Sequence, residues 1–132
     1  MNPHSKYKAV QSYSWTRIDM LILIYDQAVT TLNEGARLLE QNRLAELPPV
    51  SLKAMRVLIA IADGLDMAKG ELPGQILRLV VFALDQIKGQ SVEGWRSAAT
   101  VMSTLREGFL EIQDEARSDE YEGRIPALDA VQ

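Results

Sequence analysis

Reactive side chains are scarce in this chain, and their placement limits what they can do. The one imidazole is His4, in a polar stretch that runs to Thr16. A phosphotransfer bundle needs its histidine mid-helix on an exposed face, and His4 is not so placed. There is no cysteine, which removes thiol catalysis, disulfides and Cys-based metal sites. A di-iron bundle needs inward carboxylates with Glu-x-x-His pairs, and no such pair occurs. No phosphate-cradling Gly-x-x-x-x-Gly-Lys loop is present. Asp114, Glu115, Asp119, Glu120 and Glu122 crowd one stretch. They read as a solvated face, with a basic partner as the other reading. The expectation is a protein that is not an enzyme, with no catalytic residue, no metal ligands and no cofactor.

Composition narrows the partners. The net charge of −4 over 132 residues argues against nucleic acid, whose binders carry a basic stripe. The first residues lack the charged and apolar layout of a signal peptide. The longest apolar run falls short of the roughly 20 residues that span a bilayer. The expected setting is the cytoplasm, without membrane insertion. Hydrophobic residues make up 47% of the chain, mostly Leu, Ile, Ala and Val, enough for one helical core.

Four helices are needed to carry the apolar pattern. Thr16 is a fair N-cap, and Asp19 three residues on makes an imperfect capping box. Ile18, Leu21, Tyr25, Ala28, Leu32, Ala36 and Leu39 then fall on one face, predicting a helix over 17–43. Pro48-Pro49 marks the turn. A second helix over 50–69 carries Ala54, Val57, Leu58, Ile61, Leu65 and Ala68, with Gly64 inside it and Lys69-Gly70 at its end. Pro73 opens a third helix over 73–88, with Ile76, Leu79, Val80, Ala83, Leu84 and Ile87 inward. Ser91 caps a fourth over 91–117, where Trp95, Ala98, Met102, Leu105, Phe109, Ile112 and Ala116 form a seam of alternating three- and four-residue steps. The fold class expected is all-α: an antiparallel up-down-up-down four-helix bundle over 17–117, with an N-terminal arm over 1–16 and a frayed tail over 118–132.

These helices carry more apolar surface than one stripe each. From Ile18 to Tyr25 every residue but Asp19 is apolar, so the run greases all sides of a helix. The runs 57–62 and 79–84 are similar, and Ile22, Ile59, Val81 and Phe82 fall off the core stripes. Full burial of each would contribute roughly 1.5–3 kcal/mol. Contiguous apolar surface on a soluble chain marks an interaction site. A bundle that simply buries these residues well, or a homodimer that hides the excess, is the alternative to a bound polypeptide.

Several stretches, in order, resemble one family. Asn2-Pro3, Tyr7, Val10 and Gln11, then Thr16 to Asp26 with Met20-Leu21 and Ile24-Tyr25-Asp26, are similar in pattern and spacing to the arm and first-helix motif of the flagellin-specific export chaperones, the FliS family. Lys53 to Ile61, Gly70-Glu71-Leu72 onward to Phe82, and Leu105-Arg106-Glu107-Gly108-Phe109 resemble later stretches of it. Thr16-Arg17 stands where the family has Ser-Pro, Gln27 where it has Gly, and Val80 and Phe82 where it has tyrosines. The resemblance implies a four-helix chaperone that binds the C-terminal segment of flagellin, or a similar export substrate, in hydrophobic grooves. Such a chaperone prevents premature polymerisation and hands its client to the flagellar export apparatus. Joined to the surplus apolar surface, it gives partner-binding candidates Tyr7, Val10, Gln11, Met20, Leu21, Ile24, Tyr25, Ile59, Val81 and Phe82. The alternative is a homodimeric structural or regulatory adaptor with a non-flagellin partner.

Overall fold

The computed structural model of the chain describes residues 16–123. The expected arm, with His4, Tyr7, Val10 and Gln11, lies outside the described residues, as does the tail from 124 on. The described chain is all-helical, with no strand: α1 (Arg17–Glu40), a 3-10 turn (Leu44–Glu46), α2 (Leu47–Asp63), α3 (Leu72–Lys88), α4 (Val92–Glu111) and α5 (Gln113–Tyr121). No helix among these residues is long and apolar enough to cross a membrane.

Helix starts follow the capping chemistry. The Thr16 backbone N–H and hydroxyl donate to Asp19 Oδ2 at 3.1 and 3.0 Å. The Asp19 N–H returns a longer bond to the Thr16 hydroxyl, at 3.4 Å. This reciprocal box satisfies amide groups that the first turn leaves without intrahelical partners. The Ser91 hydroxyl accepts from the Gly94 N–H at 2.9 Å and caps α4 in the same manner.

Four boundaries differ from the sequence reading. Pro48 and Pro49 sit in the first turn of α2 rather than in a turn before it. Proline lacks only an N–H that the first turn leaves unused, and its φ is already helical. α2 ends at Asp63 with Gly64 as its cap, not at Lys69. Beyond it Asp66 takes over, its carboxylate accepting from the Ala68 N–H at 3.1 Å in a side-chain turn. α1 stops at Glu40, and Asn42 takes a left-handed φ of 55°. The expected fourth helix breaks at Ile112, where φ −103° and ψ 6° leave the helical region. The chain resumes as α5 to Tyr121, through part of the stretch read as frayed.

The described residues fall into two compact units, 24–106 and 16–23 with 107–123. The first holds the main core: Tyr25, Ala28, Val29, Leu32, Ala36 and Leu38 from α1; Ala54, Val57, Leu58 and Ile61 from α2; Ile76, Val80, Ala83 and Ile87 from α3; Trp95, Ala98, Ala99 and Met102 from α4. α2 and α3 pack on each other. α1 and α4 run in opposite directions, because Asp26 pairs with Arg106 at 3.0 Å and Glu40 pairs with Arg96. Between these ion pairs Trp95 presses on Gly35. A β-carbon built there would fall inside the van der Waals envelope of the indole Cε3 and Cζ3.

This contact predicts opposite outcomes for two glycine-to-alanine changes. Gly35→Ala should destabilise by about 1–3 kcal/mol, the usual range for overpacking a filled core. Gly108→Ala, in α4 with nothing within 4 Å of the added methyl, should stabilise by roughly 0.5–1 kcal/mol through helix propensity. Urea denaturation of the two variants beside the parent chain checks both signs.

Candidate functional site

The outer face of α2 carries the most continuous exposed apolar row on one helix. Leu52, Met55 and Ile59 are 46%, 39% and 48% exposed. Their spacing of three and four places them on one side of the helix, opposite the buried Ala54, Val57, Leu58 and Ile61. Arg56 lies beside this row and Lys53 on the flank beyond it, toward Val57, and both are exposed. Neither makes an ion pair among the described residues. From Leu47 to Ala62 the helix contains these two cations and no acid.

α3 contributes apolar points rather than a row. Val81 and Phe82 are 56% and 41% exposed. As neighbours in sequence they stand about 100° apart, and Arg78 and Asp85 fall in the arc between them. Ile59, Val81 and Phe82 are thus exposed, where a partner-contacting role requires them. Met20 is 43% exposed, with Leu23 one turn on at 39%. Leu21 and Ile24 are half-buried.

Tyr25 corrects the site read from the resemblance. It is fully buried, in line with Ala28, Leu32 and Ala36. Burial pushes its phenol up to about 12. A side chain with no exposed surface touches no client unless the core opens, so Tyr25 is a core residue. Ile22 moves inward with it, at 7% exposed, although the stripe drawn through Ile18, Leu21 and Tyr25 left it outside. The buried side of α1 is wider than one residue per turn, and it takes in Ile22 and Val29 while Leu21 stays half-covered. Leu52 and Met55 are the residues that sequence reasoning missed. Their signal was present, a step of three and then four to Ile59 on the side away from the core stripe.

A second group of polar contacts lies within the unit formed by 16–23 and 107–123. Asp19, 7% exposed, receives Arg117 Nε at 2.8 Å and Gln113 Nε2 at 2.9 Å on Oδ1, besides the two Thr16 donors on Oδ2. Glu120 is buried, and it accepts from the Arg17 backbone N–H at 3.3 Å and pairs with the Arg17 guanidinium at 3.7 Å. Glu120 is the one buried residue of α5. Burial pushes the Asp19 carboxyl up, and this is the largest single influence. The bonds from Arg117, Thr16 and Gln113 together outweigh it and bring the group below its ordinary value of 3.8.

These contacts tie the start of α1 to α5. Among the described residues no three His, Cys, Asp or Glu side chains gather as metal ligands. A hollow of about 230 Å³ is lined by Val29, Asn33, Ala99, Thr100, Ser103 and Thr104. It falls below the roughly 300–1,000 Å³ of small-molecule sites. Comparison of the chain with protein-family models, curated proteins and solved structures finds no match.

The Asp19 group sets a pH dependence. Its folded value lies below 3.8, so its contribution is fully present above that pH and is lost as pH falls through the folded value. Asp19→Asn should therefore abolish an acid-induced loss of α5 protection below about pH 4 and cost roughly 1–3 kcal/mol at neutral pH. Amide hydrogen exchange of residues 113–121 against pH, in both proteins, reads the change.

Proposed function

We propose that the chain is a non-enzymatic helical binding module, a carrier for a polypeptide client. Its four long helices would pack as an up-down-up-down bundle, and its outer apolar faces would receive the guest. The observation that carries this reading is the exposed row Leu52, Met55 and Ile59 on α2, joined by Val81 and Phe82 on α3. Helix-in-groove and helix-on-face recognition use anchors at this spacing. A client that orders on binding gives up part of its interaction energy to that ordering, which suits a reversible carrier.

The sequence resemblance to the flagellin export chaperones nominates the client: the C-terminal segment of flagellin, held in the cytoplasm until the export apparatus takes it. The resemblance draws on two kinds of residue. Asp26 and Arg106, from two of the resembling stretches, meet in the α1–α4 ion pair, so that part concerns the scaffold. Lys53 to Ile61 contributes Met55 and Ile59 to the exposed row, and that part concerns the client surface. A homodimeric adaptor remains the second reading, since a copy of α2 offers an apolar row of the same length.

Calorimetric titration with a flagellin C-terminal peptide tests the proposal. Binding in the range of roughly micromolar to tens of micromolar is expected. Ile59→Ser with Leu52→Ser should weaken it about tenfold while stability shifts by no more than about 0.5 kcal/mol per change, as at other surface sites. Tyr25→Ala should instead remove about 3–5 kcal/mol of stability. Absence of binding at tens of micromolar rejects flagellin as the client. A stable dimer by light scattering that the α2 double variant dissociates favours the adaptor.

A further inference from the structure

We infer that the outer face of α2 takes an acidic amphipathic helix: a partner segment with an apolar row of its own, bordered by aspartate or glutamate. This deepens the carrier reading and rests on it for the surface, though not for the identity of flagellin as the client.

The argument begins with how little the apolar row can do alone. Leu52, Met55 and Ile59 are already about half covered. Closing what remains gains only part of a full burial per side chain. Three such gains are less than association consumes in lost translational and rotational freedom. A partner that met only these three side chains would not stay. The groups beside the row, Lys53 and Arg56, then decide which apolar partners are admitted, through steering and like-charge exclusion more than through added affinity. Both are exposed and without an ion-pair partner among the described residues.

The sign of those groups selects the occupant. Arg56 lies next to the Leu52–Ile59 line and Lys53 on the flank beyond it, over the same two turns of helix. No acid of α2 neutralises them before Asp63 at its end. A second copy of this chain, laid along the same face, would bring two cations against two cations. Like charges across an interface are a specificity device against that pairing. The chain's own acidic helix α5 has the complementary sign but no apolar row to offer, with Glu120 as its one buried residue. A row of three side chains is short for anchoring at a membrane interface, which scales with buried apolar area. A helix with leucine-like anchors three and four residues apart and carboxylates on one flank meets both requirements. Its acids would face Arg56 and Lys53 while its apolar row covered Leu52, Met55 and Ile59.

The test uses the full chain and three synthetic helical peptides of about 18 residues, long enough to overlie α2 at about 1.5 Å per residue. All share one leucine row; the flanking residues are glutamate, glutamine or lysine. The result expected, by fluorescence anisotropy at low salt, is that the glutamate peptide binds at least about fivefold tighter than the glutamine peptide and the lysine peptide most weakly. Raising the salt should erase the difference, as charge steering across an interface is screened. Lys53→Glu with Arg56→Glu should invert the order, with circular dichroism confirming an intact fold. Equal binding of the three peptides, or an unchanged order in the charge-reversed chain, overturns the inference. So does binding to vesicles of phosphatidylcholine and phosphatidylglycerol that exceeds binding to the glutamate peptide. Flagellin peptide binding that survives charge reversal, with no peptide preference, would sink this inference and leave the carrier reading standing. Preference for the glutamate peptide without any flagellin binding would do the opposite to flagellin as the client.

Discussion

Trp95 can lie against α1 only because residue 35 has no β-carbon. The indole is fully buried and is among the largest side chains of the core. Its Cε3 and Cζ3 occupy the space a methyl at Gly35 would need. Glycine in a helix interior sacrifices roughly 1 kcal/mol of helix propensity. The return is a close approach of α1 and α4, around a ring that contributes several kcal/mol through burial. The ring's N–H has no acceptor among the described residues, so part of that gain goes to an unmade hydrogen bond. Ion pairs on either side, Asp26–Arg106 and Glu40–Arg96, are part-exposed. Such pairs are worth little in energy, but they fix how far one helix can slide along the other. The position of α4 on α1 follows from ring and glycine first, and from the ion pairs second.

That arrangement decides which apolar residues remain outside. With Trp95, Ala98 and Met102 buried on α4, the inward side of α1 in the same unit is taken up by Tyr25, Val29 and Leu32. α2 and α3 turn one stripe each to the core and pack on each other. Their opposite sides have no further helix among the described residues to meet, and they hold the exposed row and the two isolated points. Surplus apolar residues in α1 are therefore a property of a two-sided core helix. In α2 they are a property of a surface.

Much of this was legible. Capping at Thr16 with Asp19, and at Ser91, follows from side chains whose partners lie three residues away, so local sequence suffices. The core stripes of α2 and α3 follow from period alone, because one side of each helix is buried and the other wet. What failed depends on distant parts of the chain. Periodicity gives the centre of a buried face but not its width, which put Ile22 outside; Tyr25 lay on the predicted stripe, and it was the family resemblance that made it a partner candidate. Gly35 carries no signal in isolation, since its meaning lies in Trp95, sixty positions away. Pro48-Pro49 reads equally as a stop or a start until the Leu47 side chain is seen buried behind it. The seam through Ile112 continues on paper, whereas in the structure Ile112 is 48% exposed and its backbone is not helical. The candidate site was half legible: Ile59, Val81 and Phe82 stood out as runs, while Leu52 and Met55 required knowing which side of α2 was free.

The two units differ in how much polar contact they bury, and this difference bears on how each can behave. Residues 24–106 rest on apolar burial, which salt and modest pH changes leave largely intact. In the other unit, α5 presents charged and amide groups to the start of α1, with Asp19 receiving Arg117 and Gln113 and Glu120 receiving Arg17. Breaking that set returns the charges to water, which solvates them well, so opening α5 requires less free energy than opening the core. A nine-residue helix is also too short to persist alone. Undocking α5 and melting it are therefore one event. Such low-stability segments open well before the global transition, and here ionic strength and the charge on Asp19 both act on the opening.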